Sequence, residues 1–178
     1  MEFFVPGQEP PDPRPTLRIR LRVMQIIAGA IVFGAVITLA ILSLVRSLNP
    51  EPPGDPPLIS YFALGFAGVG VAVSLVVSKR VAAGGRRRLA SGPTAKDARG
   101  EAGAWYPLYQ TCMILQLAQL EGPTLFLIIA WFLEGWGVSL IATAVLIALM
   151  LLQFPTAERI ERWAEAQKEL AYQDRPPS

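Results

Sequence analysis

Val23–Val45 reads VMQIIAGAIVFGAVITLAILSLV, 23 residues without one Asp, Glu, Lys or Arg. A helix needs about 20 apolar residues to cross the hydrocarbon core of a bilayer. A secretory signal peptide would carry an apolar core of only about 7–15 residues, followed by a small-x-small cleavage site. This stretch is longer and no such site follows, so it predicts a membrane-spanning helix. Working outward, Leu58–Ser78 and Gly135–Ala157 are equally free of charge, and Gly103–Leu133 holds one charged residue, Glu121. The four stretches predict spans at about 22–47, 58–79, 106–133 and 136–154.

The segments between them read as connections. Residues 1–16 form a proline-rich tail expected to be disordered. Pro50, Pro52, Pro53, Pro56 and Pro57 must stop the first helix, because proline lacks the backbone donor and clashes with the preceding turn. Lys79 to Ala104 is polar and glycine-rich and reads as a long loop, whereas Glu134-Gly135-Trp136-Gly137 reads as a tight helical hairpin turn. Trp131 and Trp136 flank that turn, as interfacial aromatics do.

The charge pattern predicts topology. The N-terminal tail carries four Lys/Arg, the middle loop seven and the C-terminal tail four, against Arg46 alone in the two opposite connections. Cytoplasmic loops are enriched in Lys and Arg. With four spans the three basic segments fall on one side, so both termini are expected in the cytoplasm of a bacterial inner membrane. This topology also accounts for the net charge of +2, and no nucleic-acid partner is expected. The predicted fold is all-α: a four-helix integral membrane bundle over residues 17–155, N-in and C-in. A short amphipathic cytoplasmic helix and tail follow over 156–178. In that last helix Thr156 is expected to cap, with Ile160, Trp163, Ala164, Gln167, Leu170 and Ala171 on one stripe. Two readings stay open for the stripe: it lies along the membrane surface, or the helix is solvated.

Small and polar residues predict the packing. Gly65, Gly68 and Ala72 share one face of span two, and Ala63, Ala67, Gly70, Ser74 and Ser78 share the opposite face. Small residues let membrane helices approach closely, so a neighbour is expected on each side of span two. Span three carries Cys112, Gln116 and Gln119 on one face and Gln110 and Glu121 on another. Bare lipid satisfies none of these groups, so spans two and three are expected at the centre.

Glu121 is the candidate site. It sits about halfway along its span, where burial favours the neutral carboxyl. Gly122 and Pro123 follow, and Pro123 removes the backbone bond to the Gln119 carbonyl, predicting a kink beside a free acceptor. One reading is a proton or cation site supported by Gln116, Gln119, Gly122 and Pro123. The other is a hydrogen-bonding staple between two helices, since polar side chains in spans also serve as interhelical glue. No histidine and one cysteine exclude His-based metal sites, Ser-His-Asp triads and Cys-His pairs. No second acid joins Glu121, so no enzyme activity, cofactor or metal is expected.

Leu117-Ala118-Gln119-Leu120-Glu121-Gly122-Pro123-Thr124-Leu125-Phe126 resembles the carboxyl-bearing second helix of the rotary ATP synthase proteolipid, the ring-forming c subunit. Gly65-Phe66-Ala67-Gly68-Val69-Gly70-Val71-Ala72 is similar to the glycine-rich first helix of that family. The resemblance covers residues 60–133. It implies a hairpin with a cytoplasmic polar loop, a closed homo-oligomer and a proton-binding role for Glu121. The loop here is longer and lacks the family's Arg-Gln-Pro signature, and span one has no counterpart. The whole chain is similar to small multi-pass bacterial membrane proteins of unassigned function. The first functional expectation is a structural or accessory membrane subunit whose partners are the lipid bilayer and either further copies of the chain or a membrane complex.

Overall fold

A computed structural model describes residues 14–50, 56–91 and 100–173. All regular structure among the described residues is helical. The elements are α1 (Arg14–Leu48), α2 (Leu58–Ser91), α3 (Gly100–Glu134), α4 (Gly137–Leu152) and α5 (Ala157–Gln173). α1, α2 and α3 are each long and apolar enough to cross a membrane.

The helices run alternately up and down. At one end the Gln25 amide near the start of α1 donates to the Pro155 carbonyl beyond α4 (3.2 Å), and Arg86 late in α2 donates to Gln167 of α5 (2.9 Å). At the other end Arg46 late in α1 donates to the Phe132 carbonyl late in α3, and Glu134 at the end of α3 accepts from the first turn of α2. The first end carries most of the Lys and Arg and is called the basic end below.

α3 is the hub and touches every other helix. Its Leu117, Leu120, Leu127, Ile128 and Ala130 are fully buried or nearly so. Met24, Ala28 and Val32 of α1 join the same core at helical spacing, as do Leu146 and Met150 of α4. α3 runs unbroken through Pro107 and Pro123. The outward surface remains apolar: Phe33, Phe62, Leu75 and Ile141 are exposed. A soluble monomer rarely exposes apolar surface on this scale.

Four sequence expectations change. α1 begins at Arg14, so residues 14–16 belong to a helix rather than to the proline-rich tail, and 1–13 lie outside the described residues. α2 continues past Lys79 to Ser91 and α3 starts at Gly100, so most of the expected Lys79–Ala104 loop is helical. Nothing from Leu58 to Ser91 breaks a helix, since its first proline comes later, at Pro93. Glycine there is used for contact: a Cβ on Gly85 would strike the Leu108 side chain of α3. α4 spans 16 residues and ends before a break, beyond which α5 turns away by 75°. At 1.5 Å per residue α4 is about 24 Å long, shorter than the span read at 136–154.

The fourth change concerns α2. Its Ala63, Ala67, Ser74 and Ser78 are buried, but the Gly65, Gly68 and Ala72 face is exposed. No described residue lies within 4 Å of a Cβ placed on Gly65 or Gly68. Among the described residues α2 packs by one face, mainly on α3, and the hub is α3. Periodicity shows which residues share a face; the number of neighbours is set by where the other helices go.

The apolar stripe of α5 has its answer inside the chain. Ile160, Ala164 and Gln167 are buried, and Trp163 meets Tyr109 of α3 edge to face with centroids 5.4 Å apart. Thr156 Oγ1 accepts from the Arg159 N–H (3.3 Å), the capping bond its position predicts.

Candidate functional site

The residues around Glu121 divide between two sides of α3. On one side a Cβ on Gly70 would lie 2.7 Å from Pro123 Cγ and 3.2 Å from the Gln119 carbonyl oxygen. The carbonyl left without its helical donor by Pro123 therefore faces Gly70, where the absence of a side chain lets α2 come close to the α3 backbone. Phe126, on the same side, packs edge to face against Phe62 and Phe66 of α2, each at 5.9 Å.

Glu121 lies elsewhere. Two residues back or two on is roughly a half turn of helix, so Glu121 points away from the Gln119–Pro123 contact. Its side chain is partly buried and forms no hydrogen bond or ion pair with a described residue. Gly122 is open, with nothing within 4 Å of a Cβ built there. Gln116 is on neither side, and lines a cleft near the basic end together with Cys112. The structure thus joins Gly70, Gln119 and Pro123, and leaves Glu121, Gln116 and Gly122 apart. Ser78 and Cys112 also meet across α2 and α3, the thiol sulfur lying 3.9 Å from the Ser78 carbonyl.

The charged residues most fully used are at the opposite end. Both oxygens of Glu134 accept backbone N–H bonds, from Ile59 and from Ser60, each at 2.7 Å. These donors belong to the first turn of α2, where a helix exposes unpaired N–H groups and the positive end of its dipole. The two bonds give each carboxylate oxygen of Glu134 a backbone donor from α2.

Arg46 is the counterpart. Its guanidinium donates to the Phe132 carbonyl, reaches the Trp131 carbonyl at 3.4 Å and lies 5.8 Å above the Trp131 ring. A cation at a helix C-terminus meets the negative end of the dipole and the unpaired carbonyls. Gly135 beside it has φ of 68°, a left-handed conformation that favours glycine. A Cβ there would also run into the Arg46 guanidinium. Trp136 packs edge to face on Tyr61 at 5.0 Å, completing the junction. Sequence reasoning took Glu134 for part of a turn and Arg46 for a topology marker. Their pairing with helix ends was signalled only by each being a lone charge beside a long apolar stretch.

Comparison with protein-family models, with curated proteins and with solved structures found no match for this chain.

Proposed function

We propose that this chain is a multi-pass protein of a bacterial inner membrane that serves as a structural or accessory subunit of a membrane assembly. In this reading four helices cross the bilayer and both termini are cytoplasmic. The short α4 crosses with help from Trp136 and from the Gln153-Phe154-Pro155 segment that follows it. The fifteen-to-one distribution of Lys and Arg supports this orientation.

The observation that carries the subunit role is the open face of α2. Gly65, Gly68 and Ala72 present an exposed strip of small residues, and no described residue lies within 4 Å of a Cβ on either glycine. Between membrane helices association relies on close backbone packing, for which small residues are the usual surface. The test is purification in mild detergent followed by sizing and identification of co-purifying chains. The parent is expected in an assembly, homomeric or mixed, that the Gly65→Leu/Gly68→Leu double variant loses. A parent that runs as a monomer, with the double variant indistinguishable from it, would refute the subunit reading.

A second reading is proton or cation binding through Glu121, as the proteolipid resemblance implies. It is favoured by one observation: the carboxyl lies midway along α3 and no described group hydrogen-bonds it. A staple within the chain would need such a partner.

A further inference from the structure

Near the basic end α2, α3 and α5 enclose a cleft of about 580 Å³. Its cationic wall is Lys79, Arg86 and Arg159, and no Asp or Glu among the described residues lines it. Lys79 and Arg159 form no ion pair with any described residue. The Arg86 guanidinium is held in place by its bond to the buried Gln167 side chain (2.9 Å). Arg159 is anchored at the opposite rim by donating to the Leu152 carbonyl at the end of α4.

The remaining walls are of two kinds. Leu75, Met113 and Leu170 are apolar, and Trp163 adds an aromatic face. Gln153 brings a buried amide oxygen that has no hydrogen-bond partner among the described residues. The cleft therefore offers positive charge, an unused acceptor and a greasy flank within one opening. It also straddles a boundary in the sequence, for Leu58–Ser78 carries no charge and Lys79 is the first cation of α2.

We propose that this cleft binds the headgroup of an anionic phospholipid. The phosphodiester lies among Lys79, Arg86 and Arg159, whose donors suit phosphate oxygens. A hydroxyl of a glycerol-type head donates to Gln153 Oε1, and the upper part of an acyl chain runs along Leu75 and Met113. Basic pockets between membrane helices on the cytoplasmic side are suited to such heads. The apolar flank distinguishes a lipid from a free organic phosphate, which would leave it wet. The proposal rests on the membrane placement given above, which puts the cleft at the cytoplasmic interface.

The experiment places the parent chain in nanodiscs of phosphatidylcholine and adds phosphatidylglycerol in steps, with thermal unfolding and lipid retained after detergent extraction as readouts. Successful incorporation with cooperative unfolding in pure phosphatidylcholine tests the membrane placement separately. Phosphatidylglycerol is expected to raise the unfolding temperature and to be retained preferentially. Lys79→Gln/Arg159→Gln is expected to weaken that response at least tenfold, the response being read as the shift from the same variant's own unfolding in phosphatidylcholine, since Arg159 also bonds the Leu152 carbonyl. Arg20→Gln, a basic residue outside the cleft, is expected to respond like the parent. Two results overturn the proposal: a double variant that keeps the full phosphatidylglycerol response, or water-soluble glycerol phosphate protecting as well as the lipid.

Discussion

The Pro123 ring stands where a side chain at position 70 would have to go, since a Cβ on Gly70 would lie 2.7 Å from Pro123 Cγ. The Gln119 backbone oxygen closes the same space at 3.2 Å and cannot swing aside as a flexible side chain would. At this point α2 and α3 meet through a glycine on one helix and a proline on the other.

Gly70→Leu should therefore destabilise the chain, by about 1–3 kcal/mol as overpacking usually does. Gly68→Leu on the opposite face meets nothing within 4 Å and should leave the unfolding of the single chain unchanged. Thermal melts of both variants in detergent distinguish them. Equal melting of Gly70→Leu and the parent would mean that the α2–α3 contact is looser than described.

At the other end, Glu134→Leu leaves the Ile59 and Ser60 N–H groups without their acceptor. A buried donor left unpaired costs about 1–3 kcal/mol, so the variant should melt well below the parent. Glu134→Gln keeps one acceptor oxygen and should lose less. Circular dichroism against temperature measures both.

Orientation is tested with cysteines. Cys112 is first replaced, and single cysteines are placed at Ser91, Asp55 and Ser178. An impermeant thiol reagent applied to intact cells should label only Asp55→Cys, because the Lys and Arg bias puts the other two positions in the cytoplasm. Labelling at Ser91→Cys or Ser178→Cys would invert the topology.

Glu121 separates an ion site from an interface residue. Parent and Glu121→Gln protein are reconstituted in liposomes, and proton flux is followed with an internal dye alongside labelling by a hydrophobic carbodiimide. An ion site requires a carboxyl that loses and regains a proton, so Gln should abolish flux while the melting temperature stays put. Background flux from both proteins, with no labelling of the parent, would eliminate that reading.

The sequence alone determined the number and order of the helices among the described residues, because runs of about 20 uncharged residues have few other stable forms and the prolines after Leu48 allow no continuation. It also marked Gly70, Gln119 and Pro123, through a small-residue face and a proline that strips a carbonyl of its donor. Only the tertiary structure decided what those features meet. Helical periodicity places Gly65 and Gly70 on opposite faces of α2, but it carries no information about which face finds a partner, and α3 covers only that of Gly70. Glu121 was the visible charge because it interrupts an apolar run. Glu134 was missed because its acceptor role depends on the first turn of α2, some 74 residues away in the chain. The basic-end cleft is likewise assembled from Lys79, Arg86, Arg159 and Gln153, whose proximity depends on the 75° turn between α4 and α5. Hydrophobicity and backbone chemistry act locally and can be read along the chain. Pairing between helix ends and side chains from other helices is a property of the folded arrangement alone.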